Sequence, residues 1–206
     1  MKRLVIAIDC DDVLVSTTQY FIAAYNIKFG TSISLNDAHS GGEEIWQADQ
    51  ELQLKRLDEL TLTDEYLKIA PSPEEIAVLK ELSKVHSLHL VTARKPEELQ
   101  RTQQMIERDL SGVFTSIDLV GWTGSKGEVC KRIGADVLID DSARHLHNAI
   151  EHQGLSKSGA ILFGKYPWNE ADSSHEALTH CYDWASVKQV IDSLAESDVE
   201  NVESNR

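Results

Sequence analysis

The chain has 206 residues and sets 20 Lys+Arg against 34 Asp+Glu, a formal net charge of −14 at pH 7. That length suits one domain with a modest insertion, and 41% hydrophobic with 26% charged residues is the balance of a globular protein, too apolar for a disordered one. The charge excludes a nucleic-acid polymer or an anionic membrane as the main partner, since both repel it at long range, but not a small anion met by a locally cationic site.

No apolar run approaches the roughly 18–20 residues that span a bilayer. Lys2 and Arg3 precede an apolar stretch, but it stops at Asp9 and no small-residue cleavage site follows, so no signal peptide is expected. Cys10, Cys130 and Cys181 are widely spaced and form no CxxC, a pattern of neither a disulfide framework nor a zinc site. The expectation is a reduced, cytoplasmic protein.

Along the chain, five short apolar runs read as buried strands: Leu4–Ile8, Ser87–Val91, Ile117–Val120, Asp136–Ile139 and Ala160–Phe163. Helical spacing appears at Pro73–Val85, where Pro73 suits a first turn, and again at Pro96–Leu110, Lys126–Ile133 and Ser142–His152. Strands alternating with helices predict an α/β fold, a Rossmann-like doubly wound parallel sheet. The stretch from Val15 to Ala70 is too long for a simple crossover. It carries its own helical patterns at Thr17–Phe29, Leu35–Gln53 and Leu54–Leu67, and so reads as an all-helical insertion. The expected division is a core of residues 1–14 and 73–195, a helical unit of 15–72, and an acidic, disordered tail of 196–206.

Chemistry concentrates at strand ends. The first strand runs into Asp9-Cys10-Asp11-Asp12, and crowded carboxylates there raise one another's pKa unless a cation is present. In an open α/β sheet this is also the edge where ligands bind. A hard divalent cation, Mg²⁺ most simply, would relieve the repulsion. Asp140-Asp141 closes the fourth strand in the same way; a helix cap by Asp141 or Ser142 would explain one polar residue, not two adjacent acids. The second strand ends Thr92-Ala93-Arg94. Lys126 begins a helix that starts at the same edge, whereas Lys131, about 7.5 Å further along it, lies lower. Taken singly, Thr92, Arg94 and Lys126 would be surface residues; together they make one cleft.

Asp9-Cys10-Asp11, Thr92, Lys126 and Asp140-Asp141 match in order the four motifs of the haloacid dehalogenase-like (HAD) hydrolases, over roughly residues 1–14 and 73–165. The insertion after the first motif resembles that superfamily's type 1 cap. The phrases Asp9–Leu14, Val137–Asp141 and Leu162–Asn169 most resemble its 5′-(deoxy)nucleotidase-type branch. The resemblance implies a Mg²⁺-dependent phosphohydrolase acting on a small phosphorylated metabolite. In it Asp9 would be the nucleophile and Asp11 the acid and base. Metal ligands would be the Asp9 and Asp140 carboxylates and the Asp11 backbone carbonyl, with Asp141 holding a metal-bound water or orienting Lys126. Thr92, the Ala93 amide and Lys126 would bind the phosphoryl group. Asp12 stands where Gly is commoner, Val13 where Thr is commoner, and Ala93-Arg94 replaces the Ser-Pro frequent in nucleotidases. Arg94 would grip a second anionic group or pair with an acid. A phosphomutase would share all four motifs, and a silent binding protein would keep the fold. Phe21, Tyr25 and Trp46 from the cap are candidates to stack on a base, with Tyr166 or Trp168 closing the far side. A core role is the stronger reading for each, Phe21 and Tyr25 lying four residues apart on one helix, and Trp46 is kept as the candidate substrate contact.

Overall fold

The computed structural model describes residues 1–170 and 178–203. Six parallel strands form one sheet: β1 (Val5–Ile8), β2 (Ser87–Thr92), β3 (Phe114–Leu119), β4 (Val137–Asp140), β5 (Ala160–Phe163) and β6 (Thr179–Cys181), in the order β3-β2-β1-β4-β5-β6. Five strands fall where the apolar runs predict them, although β3 begins three residues before Ile117. The sixth was not anticipated, because a three-residue edge strand beginning Thr179-His180 carries no apolar run.

Alternation along the strands sorts the core into two layers. Ile6, Ile8, Leu88, Leu90, Val137, Ile139 and Ile161 point to one face. There they meet the helices α5 (Pro73–Leu82), α6 (Leu99–Leu110) and α10 (Trp184–Glu203), through Leu79, Ile106 and Ile191 among others. Ala7, Val91, Leu138 and Leu162 point the other way, against α7 (Lys126–Ile133) and α8 (Ala143–Gln153). Strands buried on both faces read as continuous apolar runs, which is why they were legible. Helix α5 starts with Ser72 capping it in a reciprocal box with Glu75 and with Pro73 in its first turn. Pro96–Glu98 is a separate 3-10 turn ahead of α6.

The helical cap follows β1 and is built from α1 (Thr17–Phe29), α2 (Glu43–Trp46), α3 (Gln50–Thr61) and α4 (Asp64–Leu67). The pattern expected over Leu35–Gln53 is broken: a 3-10 turn at Leu35–Asp37 precedes α2, and Gln47, at φ 48°, turns the chain left-handed before α3. The cap has its own core of Tyr25, Ile33, Trp46 and Leu60. At the other end, α10 continues as helix to Glu203, through most of the segment expected as a tail; residues 204–206 lie outside the described residues. Among the described residues, no helix is long and apolar enough to cross a membrane.

Because every strand is parallel, all strand C-termini share one edge. The chain winds from β1 out through β2 to β3, then returns to β4 on the other side of β1. That reversal opens a crevice beside β1, where ligands bind in such sheets.

Candidate active site

Three strand ends deliver the acidic and polar side chains into this crevice. The β1–β4 register pairs Ile8 with Ile139, and the Asp9 N–H donates to the Ile139 carbonyl at 2.9 Å, which sets Asp9 beside Asp140. Beyond Asp9 the chain doubles back: the Asp12 N–H donates to the Val15 carbonyl at 2.7 Å. The turn places Asp12 at φ 58°, a left-handed conformation that Asp tolerates better than bulkier residues. Its carboxylate accepts from the Thr18 N–H at 3.1 Å and from the Thr18 hydroxyl. Asp12 thus fills the commoner glycine's place by tying the turn to the first turn of α1.

Asp9, Asp140 and Asp141 are buried, and each offers a carboxylate oxygen within 4.8 Å of the others. Lys126, at the start of α7, reaches between two of them, with Nζ 2.8 Å from Asp9 Oδ1 and 2.7 Å from Asp140 Oδ2. Lys126 is the only polar partner of that buried Asp9 oxygen among the described residues, which leaves it able to coordinate. Lys131 is exposed, as the helix geometry requires. Burial is the main reason the Asp9 carboxyl is raised from 3.8 to about 6; Lys126 opposes the rise, and Asp140 and Asp11 add to it. Burial likewise holds Asp141 well above the usual range, with Asp140 and Asp9 repelling its charge. Three carboxylates against one ammonium leave excess buried negative charge, and hard oxygen donors at this separation suit a divalent cation. The residues therefore fit the metal that the fold implies.

The Asp11 carboxylate lies outside that trio. Arg94, just past β2 and itself 6% exposed, grips it with a fork: Nη2 to Oδ1 at 2.7 Å and Nε to Oδ2 at 2.9 Å. The guanidinium also donates to the Thr102 hydroxyl at 3.2 Å and lies 5.5 Å from the centre of the Tyr66 ring. Of the two roles open to Arg94, this is pairing with an acid, inside the crevice rather than on the surface. Burial alone would raise the Asp11 carboxyl, but the charge and hydrogen bonds of Arg94, joined by the Thr17 hydroxyl, outweigh it and hold it below the usual range. Thr92 is fully buried, its hydroxyl accepting from the Arg94 N–H at 3.3 Å and 3.5 Å from Asp11 Oδ2. Ala93 lines the crevice beside it.

Asp141 is oriented by Trp168, whose Nε1–H donates to its Oδ2 at 2.8 Å, while Asp140 accepts from the Ser142 N–H at 2.9 Å. Neither Asp141 nor Ser142 caps α8 through its side chain. Burial raises the Cys10 thiol far above its ordinary value, which removes it as a nucleophile.

Above this floor is a cleft of about 500 Å³ between core and cap, walled by Thr18, Phe21, His39 and Tyr66 from the cap and by Lys95, Trp122 and His145 from the core. Phe21 stacks on Tyr66 with ring centres 5.7 Å apart. Trp46 is not in the wall. It is 4% exposed, edge-on to Tyr25 at 4.9 Å, and its carbonyl accepts from the Tyr25 hydroxyl; a small cap has few large apolar groups, and its core takes them. Phe21 packs against the cap core beside Tyr25, as expected, and also lines the cleft. Tyr66 and Trp122 had no local signal, since each reaches the cleft only through cap–core packing. His145 lies on the crevice side of α8, where burial lowers its pKa to about 4.

The family model of 5′ nucleotidase, deoxy (pyrimidine), cytosolic type C proteins matches residues 3–197 of the chain. No curated protein matches its sequence. Among solved structures, a haloacid dehalogenase-like family hydrolase from Streptococcus pneumoniae superposes with a TM-score of 0.68 at 15% identity, over 90% of this chain and 96% of that one. A predicted phosphatase from Clostridium acetobutylicum gives 0.64 at 16% identity, over 92% and 99%. A predicted phosphoglycolate phosphatase from Haemophilus somnus gives 0.63 at 12% identity, over 92% and 98%. At these identities the likeness is one of fold, the HAD core with a helical cap after its first strand.

Proposed function

Because the chain belongs to the family of 5′ nucleotidase, deoxy (pyrimidine), cytosolic type C proteins and has the fold and carboxylate cluster of a HAD-type phosphatase, we propose that it is a Mg²⁺-dependent phosphohydrolase cleaving a small phosphomonoester, a nucleoside monophosphate first among the candidates. The observation that carries this reading is the separation of roles at the end of β1: Asp9 joins the Asp140–Asp141 trio, while Asp11, two residues on, is held apart by Arg94.

In the first step an Asp9 carboxylate oxygen bonds to phosphorus and the bond to the leaving alkoxide breaks, giving an aspartyl-phosphate. Asp11 gives its proton to that alkoxide and later takes one from the water that attacks phosphorus, which breaks the bond to Asp9, restores its carboxylate and releases inorganic phosphate. The ionised form in the Arg94 fork is the one fit to accept; to donate, Asp11 must be protonated and leave the fork. Lys126 neutralises charge on Asp9 and the phosphoryl oxygens, and the Thr92 and Ala93 turn would hold those oxygens. A divalent cation held by Asp9, Asp140 and the Asp11 carbonyl, and by Asp141 directly rather than through a water because its carboxylate lies within 4.8 Å of the other two, would supply the countercharge that lets an anionic ester approach a chain of net charge −14. The Phe21–Tyr66 stack and Trp122 offer flat apolar surface suited to a nucleobase.

The test is phosphate release from a panel of nucleoside monophosphates and sugar phosphates with Mg²⁺, with EDTA, and with Asp9→Asn. Metal-dependent release lost in Asp9→Asn supports the mechanism, and a preference for nucleoside monophosphates supports the substrate class. Equal rates across both sets would remove the nucleotide assignment, and full activity in EDTA would remove the metal.

A further inference from the structure

The segment after β5 turns at Gly164, enters the one-turn helix α9 (Pro167–Glu170) that carries Trp168, and is tied down at several points. Gly164 sits at φ 83°, and a Cβ there would stand 2.3 Å from Cε2 of Tyr166, so a bare glycine is needed for that ring to seat. The Gly164 N–H donates to the Cys181 carbonyl at 2.8 Å, and buried Asn169 donates its side-chain amide to the Phe163 carbonyl at 2.8 Å. Tyr166 donates its hydroxyl to the Asp12 carbonyl at 2.7 Å and stacks on Trp168 with centres 4.6 Å apart and planes within 3°. His39 of the cap packs against the same indole at 4.1 Å. The outcome of all this anchoring is one directed bond, from the indole N–H to Asp141 Oδ2.

We propose that Trp168 is a positioning residue of the metal site, held by the Gly164–Asn169 loop so that its indole N–H presents Asp141 as a ligand. Lys126 already orients Asp9 and Asp140 through its ion pairs, and Asp141 is the member of the trio steered by the loop. Hydrogen bonds to a ligating carboxylate set which oxygen faces the metal, and losing such a partner typically weakens metal affinity by about 10- to 100-fold. The inference rests on the reading that Asp9, Asp140 and Asp141 hold the cation.

Isothermal titration calorimetry with Mg²⁺ tests it without substrate, on the wild type, Trp168→Phe, Asp141→Ala and the double variant. Trp168→Phe keeps a ring in the stack and removes the N–H. Its Mg²⁺ affinity should fall by about 10-fold or more, with a thermal midpoint in EDTA close to that of the wild type. In the Asp141→Ala background the same change should have no further effect, because its route to the metal is gone. Should Trp168→Phe not fold, Gly164→Ala, which displaces the Tyr166 ring beneath the indole, should lower Mg²⁺ affinity in the same direction. Unchanged affinity in folded Trp168→Phe, or an equal loss with and without Asp141, overturns the proposal while leaving the metal site in place. Absence of Mg²⁺ binding by the wild type overturns both.

Discussion

Replacing Lys126 by Met isolates the electrostatics of the candidate site. The ammonium is 1% exposed, and its partners Asp9 and Asp140 are 7% and 0% exposed, so solvent screens neither pair. Breaking a buried pair by removing one partner costs about 3–5 kcal/mol, because the remaining charges stay desolvated. In a chain of this size 1 kcal/mol moves the thermal midpoint by roughly 2–4 °C, so the metal-free variant should melt roughly 10 °C lower at pH 8. The loss should shrink at pH 5, where Asp9, raised by burial to about 6, takes up a proton and sheds the charge the lysine had neutralised. Mg²⁺ should also stabilise the variant more than the wild type, since it enters a site with one cation fewer. At 100 times its Kd, a ligand bound only by the folded state contributes about 2.7 kcal/mol. Differential scanning calorimetry at pH 5 and 8, with EDTA and with saturating Mg²⁺, makes the measurement. A drop in midpoint equal at both pH values and untouched by Mg²⁺ would show that Lys126 acts by packing alone, and would refute the argument.

The wild type should show the related pH effect. Asp9 at about 6 and Asp12 at about 7 both stand above the ordinary 3.8, so the folded chain holds more protons than the unfolded one between roughly pH 4 and 7. Metal-free stability should therefore fall as pH rises through that window, by on the order of 3 kcal/mol from Asp9 alone, and Mg²⁺ should flatten the curve. Asp11 works the other way, but its contribution is lost only as pH drops through and below 3.8. Urea titrations in EDTA across this range would contradict the assignment if stability rose with pH. Arg94→Lys keeps a cation but cannot fork onto Asp11, and turnover should fall by about 10-fold or more while Mg²⁺ affinity stays put. Parallel loss of both, by kinetics and calorimetry, would mean that Arg94 holds the whole floor together. Trp46→Ala should destabilise the cap by about 3–5 kcal/mol, visible as faster hydrogen exchange over residues 15–72. A raised KM with exchange unchanged would instead make Trp46 a substrate contact.

The local signals in the sequence were strong where their physics is local. A parallel strand buried on both faces must be apolar throughout, so Leu4–Ile8 or Ala160–Phe163 is visible without knowing its neighbours. Acids at strand ends are visible too, since a buried strand running into Asp9-Cys10-Asp11-Asp12 or Asp140-Asp141 has no cheap explanation without a cation. The rise of a helix was enough to choose Lys126 over Lys131. Such inferences need only a few consecutive residues and the direction of the chain.

Contacts between distant parts of the chain follow from the packing of the fold. Which carboxylate joins the buried cluster and which is held apart turns on Arg94, 83 residues from Asp11 and adjacent to it only because β2 pairs with β1. That Asp141 is steered by Trp168 depends on β5 lying next to β4, and that Trp46 is cap core while Phe21 borders both that core and the cleft depends on how few helices share the cap's interior. Residue order along the chain is enough for the alternation of elements and the chemistry carried at their ends. Partner choice among those end groups was set by strand order, because a side chain's pairing reflects which strand lies beside its own rather than the residues that flank it.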